Sequence, residues 1–259
     1  MSLARRDHST HIIHYTLIAH TDLITHIELR APEISIHLPL TLSSRYMSLI
    51  HEYERSGNLL FRYRGQIPLI FFILAAPVIL FSDYSWYGPL DGFSLTILSI
   101  LVSLAGIIVR AYTIGTTPAG TSGRNTQEQV ADALNSTGIY SLVRHPLYLG
   151  NYLMWAGLLL FTGHFWFIIS ISLVYWLYYE RIMFAEERFL EKKYGQVYTD
   201  WSMTAPAFFP RLKGFRKPSI PFSLKSVFRR EYSGWLATAI GFAFIDILRQ
   251  YNISHVFHF

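Results

Sequence analysis

The sequence predicts an all-α, polytopic helical membrane protein with about four to five transmembrane helices. Three observations predict it. Of 259 residues, 51% are hydrophobic and only 15% are charged, whereas globular domains carry roughly a quarter charged residues. The apolar residues cluster into runs at 67–81, 93–114 (interrupted only by Arg110), 147–162, 165–179 and 235–248. Third, Lys and Arg sit beside those runs, and 11 of the 22 fall between Arg181 and Arg230. A bilayer core takes about 20 apolar helical residues, fewer when polar ends snorkel. The first four runs qualify, and the fifth, with Asp246 inside it, is borderline.

Three regions follow in chain order. Residues 1–60 form a polar, histidine-rich extension that reads as poorly ordered. Seven of the 11 histidines (His8, His11, His14, His20, His26, His37, His51) fall there without helical or strand period. The spacing of His8, His11 and His14 could face one way on a helix, but no carboxylate or thiol set completes a metal site. No metal site is therefore expected. No apolar stretch follows Arg5-Arg6, so no cleavable signal peptide is expected, and Met47 reads as a natural start. Residues 61–212 hold four spans and form the core. Residues 213–259 combine a basic juxtamembrane segment, read as lying against anionic headgroups, with the fifth hydrophobic helix.

Charge sets the orientation. Arg55, Arg62 and Arg64 precede the first span, and the loop after it carries Asp83 and Asp91 without Lys or Arg. The second span returns to Arg110 and Arg124. Spans three and four meet in a tight hairpin at Thr162-Gly163-His164, and the fourth ends in the basic segment. By the positive-inside rule these basic ends face the cytoplasm of a plasma or inner membrane. The same clustering argues against nucleic acid as a partner. The absence of cysteine removes disulfides, thiolate nucleophiles and cysteine-ligated metals.

Two strings at the cytoplasmic ends carry polar chemistry. Arg144-His145-Pro146-Leu147-Tyr148-Leu149-Gly150 opens span three. Proline is tolerated in a first helical turn, so Arg144 and His145 fall at a helix N-terminus suited to an anionic group. Tyr140 and Tyr148 offer faces for a purine. The same residues also suit interfacial anchoring in an aromatic belt. Glu186-Glu187 closes span four. Helical spacing sets Glu186 on an apolar face with Tyr175, Tyr179, Ile182, Met183, Phe189 and Leu190, where a carboxylate needs a partner. Glu187, with Glu180 and Glu191, reads as a solvated surface charge. Between spans two and three, the polar connector at 115–135 either cradles a ligand or is an ordinary loop. It lacks the strand and Gly-Lys-Ser/Thr ending of a phosphate loop.

From about Gly106 to Leu212 the chain resembles the isoprenylcysteine carboxyl methyltransferase and phospholipid N-methyltransferase group of integral membrane enzymes. The matching residues are Gly106-x3-Arg110, Gly138-Ile139-Tyr140-x3-Arg144-His145-Pro146-x-Tyr148-x-Gly150, Glu186-Glu187-x2-Leu190-x3-Tyr194-Gly195-x2-Tyr198-x2-Trp201 and Pro206-x3-Pro210. The resemblance implies methyl transfer from S-adenosylmethionine at a cytoplasmic cofactor site. By that likeness Tyr140, Arg144, His145, Tyr148, Leu149, Gly150, Arg181, Glu186 and Glu187 hold the cofactor. Arg144 and His145 are the catalytic candidates, His145 because its ordinary pKa suits a general base. The implied substrate is a lipid or prenylated small molecule entering from the membrane, with the cofactor's carboxylate on Arg144 or Arg181 and its ammonium on a glutamate. An alternative is an NADPH-dependent sterol-type reductase, which shares Arg-His-Pro-x-Tyr-x-Gly but usually continues with an acidic residue where this chain has Asn151. A non-catalytic scaffold or transporter is the third reading; the spans show no evident repeat.

Overall fold

The computed structural model describes residues 48–81, 92–118, 120–121, 129 and 131–254. The histidine-rich stretch up to Met47, the acidic loop at 82–91 and part of the polar connector lie outside the described residues. Among those described there are seven α-helices and no strand: α1 (Leu49–Arg62), α2 (Ile67–Phe81), α3 (Gly92–Gly115), α4 (Pro146–Phe161), α5 (Phe165–Tyr194), α6 (Gln196–Ser202) and α7 (Leu224–Ser254).

Among the described residues the regular structure is helical, as composition and apolar runs predict. Two helices, α3 and α5, are long and apolar enough to cross a membrane. Only 22% of the most apolar window of α3 and 33% of that of α5 is buried within the protein. Leu101, Leu104 and Ile108 on α3, Leu173 and Leu177 on α5 and Leu236 and Ile240 on α7 are all exposed. Contiguous exposed apolar surface on this scale calls for lipid rather than water. The sequence expectation of four ready spans meets shorter helices: α2 has 15 residues and α4 has 16. At 1.5 Å per residue, α4 reaches about 24 Å. Pro146 starts it, and the hairpin at Thr162 stops it. Gly163 turns there with φ +77°, a left-handed value that a side chain would strain.

The tightest packing pairs α3 with α4, antiparallel. Small residues bring the two backbones together, as is common between membrane helices. A Cβ on Gly106 would stand 2.6 Å from the Gly150 carbonyl oxygen, and one on Gly150 would stand 2.5 Å from Arg110 Cγ. Gly157 backs onto Ser99 and Ser103 in the same way. The Ser103 hydroxyl donates to the Met154 carbonyl at 2.8 Å. On the other side, α5 packs on α1. Gly57 meets the Arg181 carbonyl, and the Tyr178 hydroxyl donates to the Leu60 carbonyl at 2.6 Å. Between them lies an aromatic core that includes Phe61, Tyr148, Tyr175, Tyr179 and Phe208.

Helix α7 begins at Leu224, well before the apolar run at 235–248. Part of the basic segment expected to lie on headgroups is therefore the first turns of a 31-residue helix. It crosses α2, α3 and α4. Asn252 donates to the Ile79 carbonyl at 2.5 Å, Arg249 donates to the Phe161 carbonyl at 3.1 Å, and Ile245 joins a second core with Ile79 and Leu158.

The segment between α6 and α7 straps the entrance to α4. Pro206 and Ala207 carbonyls accept the N–H groups of Arg144 (2.8 Å) and His145 (3.1 Å), and the Arg216 carbonyl accepts that of Gly138 (2.9 Å). The backbone donors of Arg144 and His145, expected to be open to an anion, are thus already satisfied.

Candidate active site

The ends of α3, α4, α5 and α7 converge on one cavity of about 490 Å³. Its polar end is built by α4 and α5. His145, the N-cap of α4, is 7% exposed and sits between both glutamates. Its Nε2 lies 2.9 Å from Glu187 Oε1, and its Nδ1 lies 3.5 Å from Glu186 Oε2. Arg144 Nε approaches the same Glu187 oxygen at 3.0 Å, while its Nη1 donates to the Ser202 carbonyl at 3.1 Å. Tyr148 stacks beside the imidazole, with centroids 5.7 Å apart and planes 21° apart.

Glu186 and Glu187 lie past the apolar first half of α5, where about six turns of helix carry them to the cavity. Gly195, with φ +55°, then ends α5 and starts α6. That left-handed turn suits glycine. It folds α6 back so that Tyr198 and Trp201 wall the cavity. The Trp201 indole N–H donates to the Tyr140 carbonyl at 3.2 Å, placing Tyr140 and Trp201 on the same wall with Leu134 and Leu190. The polar connector contributes Thr121, Gln129, Ala131, Ala133, Leu134 and Asn135 to the lining. The ligand-cradling reading of that segment therefore gains the geometry that the plain-loop reading lacks.

Electrostatics follow from the enclosure. Burial disfavours the charged form of His145, but hydrogen bonds and proximity to Glu186 and Glu187 outweigh it and hold its pKa above the ordinary 6.5. Burial pushes Glu187 up, and the bond to His145 with Arg144 nearby brings it net below the ordinary 4.5. The free site is thus a histidinium–carboxylate pair at mildly acidic pH.

Of the sequence-selected residues, Tyr140, Arg144, His145, Tyr148, Glu186 and Glu187 all line the cavity. Leu149, Gly150 and Arg181 do not. Leu149 packs on the aromatic core. Gly150 is the gap through which the Arg110 side chain passes. Arg181 is turned the other way: its guanidinium lies 4.6 Å above the Tyr53 ring, and its Nη1 donates to Ser56 Oγ at 3.1 Å. Its place on the third face of α5 points it at α1, which the periodicity of α5 alone does not reveal. Glu187 also departs from expectation. It is the hub of the cluster rather than a solvated charge, because α4 brings two cations to it.

Arg110, Asn151 and Glu231 also line the cavity, and none of them was among the site residues selected from the sequence. Arg110 Nε and Nη2 bind Glu231 Oε2 and Oε1 at 2.7 and 2.8 Å, and its Nη1 binds Asn151 Oδ1 at 2.6 Å. The one signal was Arg110 itself, a lone cation breaking an apolar run. Glu231 hid at the end of the basic string Arg229-Arg230.

Residues 91–197 match the family model of the phospholipid methyltransferases. The chain is 35% identical over 98 residues to the nickel-cobalt-cadmium resistance protein NccN of Alcaligenes xylosoxydans xylosoxydans, covering 38% of this chain and 43% of that one. It is 31% identical over 166 residues to the cobalt-zinc-cadmium resistance protein CzcN of Cupriavidus metallidurans, covering 62% and 70%. It is 31% identical over 77 residues to the protein-S-isoprenylcysteine O-methyltransferase of Schizosaccharomyces pombe, covering 30% and 33%. The matched region thus spans less than half of the first and third of these relatives. No solved structure matches the chain. Among the described residues no three His, Cys, Asp or Glu side chains are grouped to hold a metal ion. The helical architecture, the Arg144–His145–Glu187 cluster on the matched motifs and the family match agree: the chain belongs to the phospholipid methyltransferase family of membrane methyltransferases.

Proposed function

We propose that the protein transfers a methyl group from S-adenosylmethionine to a lipid or lipid-like amphiphile, a phospholipid amine or a prenyl-type carboxylate, at the cytoplasmic face of a plasma or inner membrane. One observation carries this reading: a single cavity joins the charged cluster of α4 and α5 to apolar walls of α4 and α7 that lead towards the bilayer.

The donor set fits the cofactor. Beyond the ion pair of its Nε with Glu187 and the bond of its Nη1 to the Ser202 carbonyl, the Arg144 guanidinium keeps further N–H groups, which suits it to a carboxylate. Glu186, at 3.5 Å from its nearest cation, retains acceptor capacity for an ammonium. Tyr140 and Trp201 supply aromatic faces for an adenine. When bound, the cofactor supplies a methyl group already activated on a sulfonium. The chain's own work is then to hold, align and exclude water. His145 orients Glu187 and Glu186 through its two ring nitrogens. Arg144 braces Glu187 against the strap at Ser202. Tyr148 closes the site on the membrane side.

The acceptor enters laterally. The cavity reaches Met154, Gly234 and Thr238, and Thr238 also lines an apolar groove between α3 and α7 with Ile100, Leu104 and Phe242. The four to five spans, the cytoplasmic orientation and the division into a 61–212 core with flanking regions belong to the same proposal. The positive-inside pattern supports them, because Arg211, Lys213, Arg216, Lys217, Arg229 and Arg230 all lie near this end of the helices.

The test is direct binding. Purified protein in nanodiscs should bind S-adenosylmethionine and not NADPH by calorimetry. Glu186→Gln, Glu187→Gln and His145→Ala should each weaken binding at least tenfold. Saturable NADPH binding without S-adenosylmethionine binding would favour the reductase reading. Supplying labelled S-adenosylmethionine with membrane lipids should then place label in a lipid fraction.

A further inference from the structure

The far end of the cavity holds a second charged set that the cofactor reading does not use. Arg110 lies five residues from the end of α3, Asn151 five residues into α4, and Glu231 seven residues into α7. They meet at one depth. The Glu231 side chain is 2% exposed and that of Arg110 18%. Placing ionisable groups inside a span is costly, so such groups usually serve a purpose there. Glu231 also lies outside the family-matched residues 91–197.

Counting donors and acceptors gives the set a direction. Arg110 has five N–H groups. Two bind the Glu231 carboxylate, and Nη1 serves Asn151 at 2.6 Å and the Leu147 carbonyl at 3.4 Å. Little is left to recognise an incoming anion. Glu231 is the reverse. A carboxylate has about four lone-pair sites, and Arg110 fills two. Its negative charge is balanced by Arg110, so a carboxylate headgroup would have to displace Glu231 and bury a second anion beside it. A headgroup carrying N–H or O–H meets a held acceptor instead.

We infer that Glu231, held by Arg110, which Asn151 in turn positions, is the acceptor-site residue of this protein, taking a proton from a protic methyl acceptor and excluding a carboxylate one. This rests on the methyltransferase reading above. For a lipid ammonium the steps balance as follows. One N–H proton passes to the Glu231 carboxylate and leaves a neutral amine. The amine lone pair forms the N–C bond as the S–C bond breaks and its electron pair returns to sulfur. The product is a methylated ammonium and a neutral thioether, and Glu231 then releases its proton to water through the cavity. For a hydroxyl acceptor the O–H proton goes to Glu231 as the O–C bond forms.

Three measurements on full-length protein in nanodiscs decide it. First, wild type is given three amphiphiles with one tail and an amine, hydroxyl or carboxylate headgroup, together with labelled S-adenosylmethionine. Label in the amine or hydroxyl product and none in the ester is expected, and methylation of the carboxylate overturns the inference. Second, Glu231→Gln should bind S-adenosylmethionine within about twofold of wild type while kcat falls about 100-fold or more, the range for loss of a general base. Transfer within threefold of wild type overturns it. If that variant does not fold, the neutral pair Arg110→Gln/Glu231→Gln takes its place with the same expectations. Third, binding of the amine lipid without cofactor, followed by tryptophan fluorescence, should weaken in the variant; unchanged binding together with unchanged transfer counts against Glu231. Failure of wild type to bind S-adenosylmethionine would reject the methyltransferase reading itself. Normal cofactor binding with an indifferent Glu231 rejects only the present inference.

Discussion

At the residue scale, the site turns on one histidine between two carboxylates. His145 is nearly enclosed, and in that setting an unpaired imidazole would stay neutral. Glu187→Gln should therefore drop the His145 pKa, since burial then meets a weaker opposing charge. Imidazole NMR titration would show it, and an unmoved titration would mean that Glu187 is not the partner that matters. The pair also sets a stability window. The His145 pKa is raised from 6.5, so its contribution is complete below pH 6.5 and is lost as pH rises through the raised value. That of Glu187 is lowered from 4.5, so its contribution is complete above pH 4.5 and is lost as pH falls through the lowered value. Thermal stability of the ligand-free protein should peak between these limits, and Glu187→Gln should flatten the profile. Arg181 provides the contrast. Arg181→Ala should leave S-adenosylmethionine affinity within about twofold while costing about 0.5–2 kcal/mol through its lost cation–π contact with Tyr53. Weakened cofactor binding with unchanged stability would restore it to the site. These outcomes also mark how far the sequence could be read. Tyr140, Arg144, His145, Tyr148 and Glu186 were legible because motif and local helix geometry suffice to gather them. Glu187 was legible through the Glu186-Glu187 motif but not through helical spacing, and Arg181 through neither, since which face of α5 meets α1 and which meets α4 depends on neighbours far along the chain.

At the element scale, the geometry depends on how closely α3 and α4 approach. Gly106 and Gly150 let the Arg110 side chain cross α4 to reach Asn151 and Glu231. Gly106→Leu should separate the helices, because the added side chain meets backbone rather than a yielding side chain. Overpacking of this kind typically costs about 1–3 kcal/mol, and contact with backbone puts this case at the upper end. Loss of monodisperse protein on size-exclusion chromatography is the expected readout. Recovery at wild-type levels would mean that the contact between α3 and α4 is looser than described. The helix ends were largely written in local chemistry: Pro146 at the start of α4, Gly163 in the hairpin, Gly195 between α5 and α6. The early start of α7 was not. Its first turns are rich in Lys and Arg and read as a headgroup segment. They become helical because Val227 and Glu231 find buried partners on the core.

At the scale of the whole molecule, the proposed topology makes a prediction that the chain is well suited to test, since it has no cysteine. A single cysteine at Lys213 should react with a membrane-impermeant maleimide from the cytoplasmic side, and one at His164 only from the opposite side. The reverse pattern would invert the orientation. The sequence by itself determined the solvent and the secondary structure. Long apolar runs with few charges can satisfy their backbone groups in lipid only as helices, and the basic flanks supply the proposed orientation. It also named the family, because the motif residues stand at fixed spacings along two adjacent helices. The tertiary structure alone decided which polar groups share a cavity. Arg110 and Glu231 are 121 residues apart, and no periodicity links them. Only the packing of α7 across α3 and α4 brings that carboxylate to the arginine.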